Sequence, residues 1–172
     1  MQPMPYKTHS QFEERSYQPE DLDALVQIEQ EAGDAGWSRV ELEFFAEHLF
    51  VDTRVVTPIV APDRPIGFYV VEHGEDTLYL CNIAVAVDWR RRGVASFALD
   101  AATELARSVS YQELALDVQE QNLGAQLLYR KAGFRAVGIR RGYYTAQDGY
   151  HMVKRLGAAV PLATGALQIN RF

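Results

Sequence analysis

The sequence predicts a mixed α/β (α+β) fold, a single domain whose central, mostly antiparallel, twisted sheet is flanked by helices. Three observations predict it. Stretches 54–61, 66–72 and 77–87 are rich in β-branched and aromatic residues and are separated by the turn signals Asp63-Arg64-Pro65 and His73-Gly74-Glu75-Asp76. After Gly93 the period turns helical, with Val94, Phe97, Ala98, Ala101, Leu105 and Val109 along one face. Leu114, Leu116 and Val118 then alternate with Glu113, Ala115, Asp117 and Gln119, the mark of a half-buried strand.

Taken in order, residues 1–11 are polar with two prolines and read as a leader. Residues 12–156 form the domain and 157–172 a tail without clear period, whose role the sequence does not define. Phe12 to Gln18 is a first strand. Pro19-Glu20-Asp21 opens a helix carrying Leu22, Leu25, Val26 and Ile28, which Gly33 and Gly36 break. Ser38 caps a second helix, running to about Leu49, with Glu41 completing a capping box. The three extended stretches form a hairpin-linked meander, followed by the long helix and the strand at 113–119. Asn122 caps a further helix, with Leu123, Leu127 and Leu128 as its apolar residues, and Gly133 ends it. Phe134 to Gly142 and about Gly149 to Leu156 complete the strands, giving the order β-α-α-β-β-β-α-β-α-β-β.

The 172 residues suit one domain, and 48% hydrophobic with 23% charged residues is globular and not disordered composition. A net charge of −6 argues against indiscriminate binding to nucleic acid. Cys81 is the one cysteine, so no intrachain disulfide or cysteine metal cluster forms; in its apolar surroundings it reads as a small buried hydrophobe. The four histidines lack ligand-like spacing and read as surface or packing residues, so no metal is expected. No signal peptide and no apolar run of about 20 residues is present, so an intracellular, cytoplasmic protein without a membrane partner is expected.

The chemistry concentrates in Asp88-Trp89-Arg90-Arg91-Arg92-Gly93-Val94-Ala95-Ser96, between a strand and a helix. Three arginines at a helix start oppose its dipole, each at a cost of roughly 0.3–1 kcal/mol. A bound anion would reverse that cost, and free N–H groups beside a glycine form a phosphate cradle. The alternative is that the arginines fan into solvent. The segment is not a Walker A loop, because the Gly-Lys-Ser/Thr ending is missing.

Arg90-x-x-Gly93-x-Ala95 resembles the Gln/Arg-x-x-Gly-x-Gly/Ala element of the GNAT acetyltransferases. Asn82-Ile83-Ala84-Val85, Asn122, Leu128-Tyr129 and Gly133-Phe134 are similar to that family's cofactor strand, capping asparagine, tyrosine and closing Gly-Phe. Ile28-Glu29-Gln30, Trp37-Ser38 and Arg140-Arg141-Gly142-Tyr143-Tyr144 resemble, more narrowly, RimI-type ribosomal-protein-alanine N-acetyltransferases. The resemblance covers about Tyr17 to Leu156. It implies acetyl-coenzyme A as co-substrate. Ile83, Ala84 and Val85 would lie along the pantetheine, with Asn122 reaching it. Arg90, Arg91, Arg92, Gly93, Val94, Ala95 and Ser96 would form the pyrophosphate loop.

The resemblance also implies two catalytic groups: Asp117 as base, where the family has a glutamate, and Tyr129 as acid toward the departing thiolate. The bland alternatives are a solvated strand carboxylate and a core aromatic. The amine decides how much base is needed. Near pH 7.5, freeing a lysine of pKa about 10.4 costs roughly 4 kcal/mol, and an α-amine of pKa about 7.7–8.0 less than about 1. The expected partner is therefore the α-amine of a protein or peptide. A small-molecule amine or lysine, an acyl-coenzyme A-binding module whose catalysis has lapsed, and nucleic-acid binding through the arginines stand as alternatives. The oligomeric state is not legible.

Overall fold

The computed structural model describes residues 11–32, 36–144 and 147–157. Most of the leader, most of the tail, Gly33 and His9 lie outside them, as do the side chains of Tyr143 and Tyr144. Seven strands, β1 (Phe12–Ser16), β2 (Val51–Pro58), β3 (Gly67–His73), β4 (Thr77–Val85), β5 (Glu113–Gln119), β6 (Arg135–Tyr144) and β7 (Gln147–Arg155), form one sheet in the order β1-β2-β3-β4-β5-β7-β6. Among the described residues four helices accompany it: α1 (Leu22–Gln30), α2 (Arg39–Ala46), α3 (Val94–Ser108) and α4 (Leu123–Lys131). The element order is the expected one, with 3-10 turns over Pro19–Asp21, leading into α1, and over Val87–Trp89.

Every pairing is antiparallel except β4 with β5. A parallel pair needs a crossover, and α3 supplies it. β3 carries the unbroken apolar run Phe68-Tyr69-Val70-Val71 because helices cover both of its faces. Its alternate residues divide between two cores. Tyr69 and Val71 join Leu78, Leu80, Leu114, Leu116 and the inner face of α3, whereas Phe68 and Val70 join Leu25 and Ile28 of α1 and Leu42 of α2. The two cores bracket the sheet and fix the register of its central strands.

α3 buries Val94, Ala98, Leu99, Ala102, Thr103 and Ala106; on the expected face Phe97, Ala101 and Leu105 are partly buried against the same core, and Val109 is exposed. Alanines at 98, 102 and 106 bring the helix close to the sheet. Thr103 is tolerated within it because its hydroxyl donates to the Leu99 carbonyl at 2.7 Å and accepts from Lys154 Nζ at 3.0 Å. In α4, Leu123 and Leu127 are exposed and Tyr129 is the buried residue. The capping box of α2 forms as the sequence predicts: Ser38 N–H donates to Glu41 at 2.7 Å and Glu41 N–H donates to Ser38 Oγ at 3.3 Å.

Candidate active site

β4 and β5 pair only from Thr77 with Glu113 to Leu80 with Leu116, and then diverge. At that point β4 carries a bulge. Val71 faces Leu80 and Val70 faces Asn82, so Cys81 is the extra residue. An extra residue bends its strand and increases local twist, which separates β4 from its parallel neighbour. Beyond the bulge Cys81 to Val85 keep β3 on one side and, among the described residues, pair with no strand on the other. Such an edge accepts an extended amide-bearing chain as an added strand.

The 90–96 segment lies at the far end of that edge. Arg91 and Gly93 both have positive φ, at 62° and 90°, and Gly93 serves as the N-cap of α3 with no capping side chain. Consecutive N–H groups in such a loop form an anion-binding concavity on a helix N-terminus. A side chain at Gly93 would meet nothing within 4 Å, so the approach to this loop is open.

The three arginines are used differently. Arg90 turns back, its Nε donating to the Val85 carbonyl at 3.0 Å and its Nη2 to the Glu31 carbonyl at 3.0 Å. It therefore fastens the loop to β4 and to the C-terminal end of α1. Arg92 lies 5.3 Å over the Trp89 ring, a cation–π contact that fixes its stem. Arg91 stays exposed. Glu31 adds a second tie through Val87 N–H, which donates to its carboxylate at 2.6 Å.

Asp117 is the first residue of β5 past the fork, on the face opposite Leu116 and Val118 as the alternation predicts. Its side chain is only 4% exposed. It is not a solvated strand carboxylate. Tyr79 Oη donates to one oxygen, and the other receives His151 Nδ1 at 2.8 Å and Arg140 Nε at 3.4 Å. A cavity of about 280 Å³ reaches this carboxylate, lined by Trp37, Phe45, Glu72, Tyr79, Leu80 and Cys81. Burial, with the Glu72 charge adding to it, pushes the Cys81 thiol up to about 12, so this cysteine is a packing group and not a nucleophile.

Tyr79, Arg140, His151 and Glu29 were not singled out by the sequence as parts of the site. His151 is partly buried and bonded to Asp117, and His73 is bonded to Asp52 at 3.0 Å and Tyr111 at 3.1 Å. The signal for His151 is a cross-strand one, since it stands directly opposite Asp117 on β7. Glu29 is 3% exposed, and burial raises its carboxyl above the usual range despite bonds from Asn82 and Trp37.

Tyr129 and Asn122 belong to α4. Asn122 accepts from Ala125 N–H at 3.1 Å, so the cap uses its side-chain oxygen and not its amide NH₂. Tyr129 is 8% exposed, packs edge-on to Phe134, and sits in the core on the α3 side of the sheet.

The sequence model of the acetyltransferase (GNAT) family matches residues 22–134, which span the fork, the loop and α4. The chain belongs to the GNAT acetyltransferase family. The ribosomal protein bS18-alanine N-acetyltransferase of Salmonella typhimurium is 33% identical to this GNAT protein over 130 residues, 76% of this chain and 85% of that one. An N-alpha-acetyltransferase of Saccharolobus solfataricus is 30% identical over 128 residues, 66% of this chain and 76% of that one. The crystal structure of the ribosomal-protein-S18-alanine N-acetyltransferase from Escherichia coli superposes with a TM-score of 0.77 at 26% identity, covering 88% of this chain and 97% of that one. This GNAT domain is an acetyl-coenzyme A-dependent N-acetyltransferase. The open edge of β4 and the uncapped N–H groups of the Gly93 loop suit the pantetheine and pyrophosphate of that co-substrate. Among the described residues no group of three or more His, Cys, Asp or Glu is placed to hold a metal, and no helix is long and apolar enough to cross a membrane.

Proposed function

We propose that this enzyme acetylates the N-terminal α-amine of a protein or peptide in the cytoplasm, where such termini emerge during synthesis. The observation that carries this reading is the cavity at the fork, which brings an acceptor to one carboxylate already engaged by three donors. That arrangement suits an amine whose deprotonation costs less than about 1 kcal/mol near pH 7.5 better than a lysine, which costs roughly 4. The names borne by the relatives agree with it.

Acetyl-coenzyme A supplies the acetyl group as a thioester. Ile83 to Val85 orient its pantetheine along the β4 edge, and Arg91 to Ser96, with Gly93 at the turn, hold its pyrophosphate. Arg90 keeps that loop against β4, and Asn122 offers its amide. We assign withdrawal of the amine's proton to the cluster of side chains centred on Asp117, and protonation of the departing sulfur to the Tyr129 hydroxyl.

The test is mass-spectrometric analysis of acetyl transfer to a peptide library that offers free α-amines and lysines together. Acetylation confined to α-amines is expected. Modification of lysines, or of polyamines alone, would replace the acceptor in this reading, and binding without transfer would make the protein an acyl-coenzyme A-binding module.

A further inference from the structure

Asp117 is surrounded by donors. An ionised carboxylate has about four lone-pair directions, and here Tyr79, His151 and Arg140 occupy three of them. A group so engaged is suited to orienting its neighbours and poorly suited to receiving a further proton. His151 is the neighbour that can receive one. Because a carboxylate only accepts, the ring nitrogen facing it at 2.8 Å must be a donor, so neutral His151 carries its proton on Nδ1. Nε2 is then a free lone pair on the same imidazole.

The surroundings hold the ring in that state. Asp117 and His151 are directly opposed on β5 and β7, so their side chains share the face that bears the acceptor cavity. Tyr79 stacks on the imidazole with ring centroids 6.4 Å apart and 13° between planes. A Cβ at Gly138 of β6 would lie 3.9 Å from the His151 Cβ, an ordinary contact, so β6 passes beside His151 without crowding it. His151 remains 24% exposed at its side chain, within reach of a proton carried by water. Among the described residues, the charged and titratable groups facing it are Tyr79 of β4, Asp117 of β5 and Arg140 of β6, with Glu72 of β3 lining the same cavity.

From this geometry we infer that His151 Nε2 is the proton acceptor for the attacking amine, directly or across one water, and that Asp117 is its positioning residue. The inference rests on the α-amine reading above. Nitrogen forms a bond to the acetyl carbon as the carbon–sulfur bond breaks. One proton passes from nitrogen to His151 Nε2 and one from Tyr129 Oη to sulfur, and exchange with water returns the His151 proton to Tyr129. A carboxylate already accepting from three donors has little room for a further proton, whereas the Nδ1–H imidazole keeps an acceptor at Nε2.

The test combines a wild-type measurement with variants. Nitrogen-detected NMR of the wild-type protein should show neutral His151 as the Nδ1–H tautomer. In H151Q and H151F, kcat on an α-amine peptide should fall about 10²-fold or more, with acetyl-coenzyme A binding retained. Both variants should lose one ionisation from the kcat/KM profile that the wild type shows. D117N should lower the rate and change the His151 tautomer. An Nε2–H tautomer in the wild type overturns the inference without needing any variant to fold. A folded H151Q with wild-type rate and pH profile overturns it too, while α-amine transfer by the wild type leaves the underlying reading intact. A wild-type protein that acetylates no α-amine removes that reading and the inference together.

Discussion

Asn82 donates its side-chain amide to Glu29 at 2.6 Å, one residue past the bulge of β4. The second oxygen of the same carboxylate accepts the backbone N–H of Trp37 at 3.0 Å. Glu29 thus ties α1, the segment before α2 and the diverging strand together at one point. A Cβ at Gly36 would fall 2.5 Å from the Glu29 carbonyl oxygen and 2.7 Å from its carboxylate, so glycine is needed there for the segment to close over it. Trp37 stacks on Phe45 at 4.3 Å, and both line the cavity that ends at Asp117.

Glu29 should make stability depend on pH. Burial raises its folded value above its unfolded one, with opposing bonds from Asn82 and Trp37. Its contribution is therefore complete below the ordinary value of 4.5 and is lost as pH rises through the raised value. Glu29→Gln keeps the shape without the charge, and Asn82 can turn its amide to match. Thermal unfolding from about pH 4 to 8 should show wild type losing stability relative to E29Q as pH increases. Parallel curves would mean that the carboxylate is fully compensated where it lies.

The Gly93 loop should separate strain from ligand exclusion. Gly93→Ala meets no atom within 4 Å but places a side chain at φ 90°, so it should cost about 1–2 kcal/mol in stability while acetyl-coenzyme A still binds. Gly93→Glu adds a carboxylate where the pyrophosphate is expected and should abolish binding in calorimetric titration. Equal affinity in the two folded variants would place the co-substrate elsewhere.

Tyr129→Phe keeps the ring against Phe134 and removes only the hydroxyl. Acetyl-coenzyme A affinity should be unchanged and turnover lower by about 10²–10⁴-fold, the usual span for general acid catalysis. Stopped-flow detection of released thiol checks it, and wild-type turnover would show that the sulfur takes its proton from water.

Much of this protein is determined locally. Ser38 with Glu41, Asn122 before α4 and Gly93 before α3 set helix starts through bonds spanning three residues or through one residue's φ, so each is legible in a short window. The alternation at 113–119 likewise placed Asp117 opposite the core, because the side chains of a strand repeat every second residue. Tertiary structure decided the rest. The buried face of α3 depended on where Lys154 and the sheet met it, and the recruitment of Arg90 depended on α1 reaching Val87. His151, Tyr79 and Arg140 meet Asp117 across separations of 34, 38 and 23 residues. No local period records such a meeting, because the sheet order and a one-residue bulge at Cys81 create it.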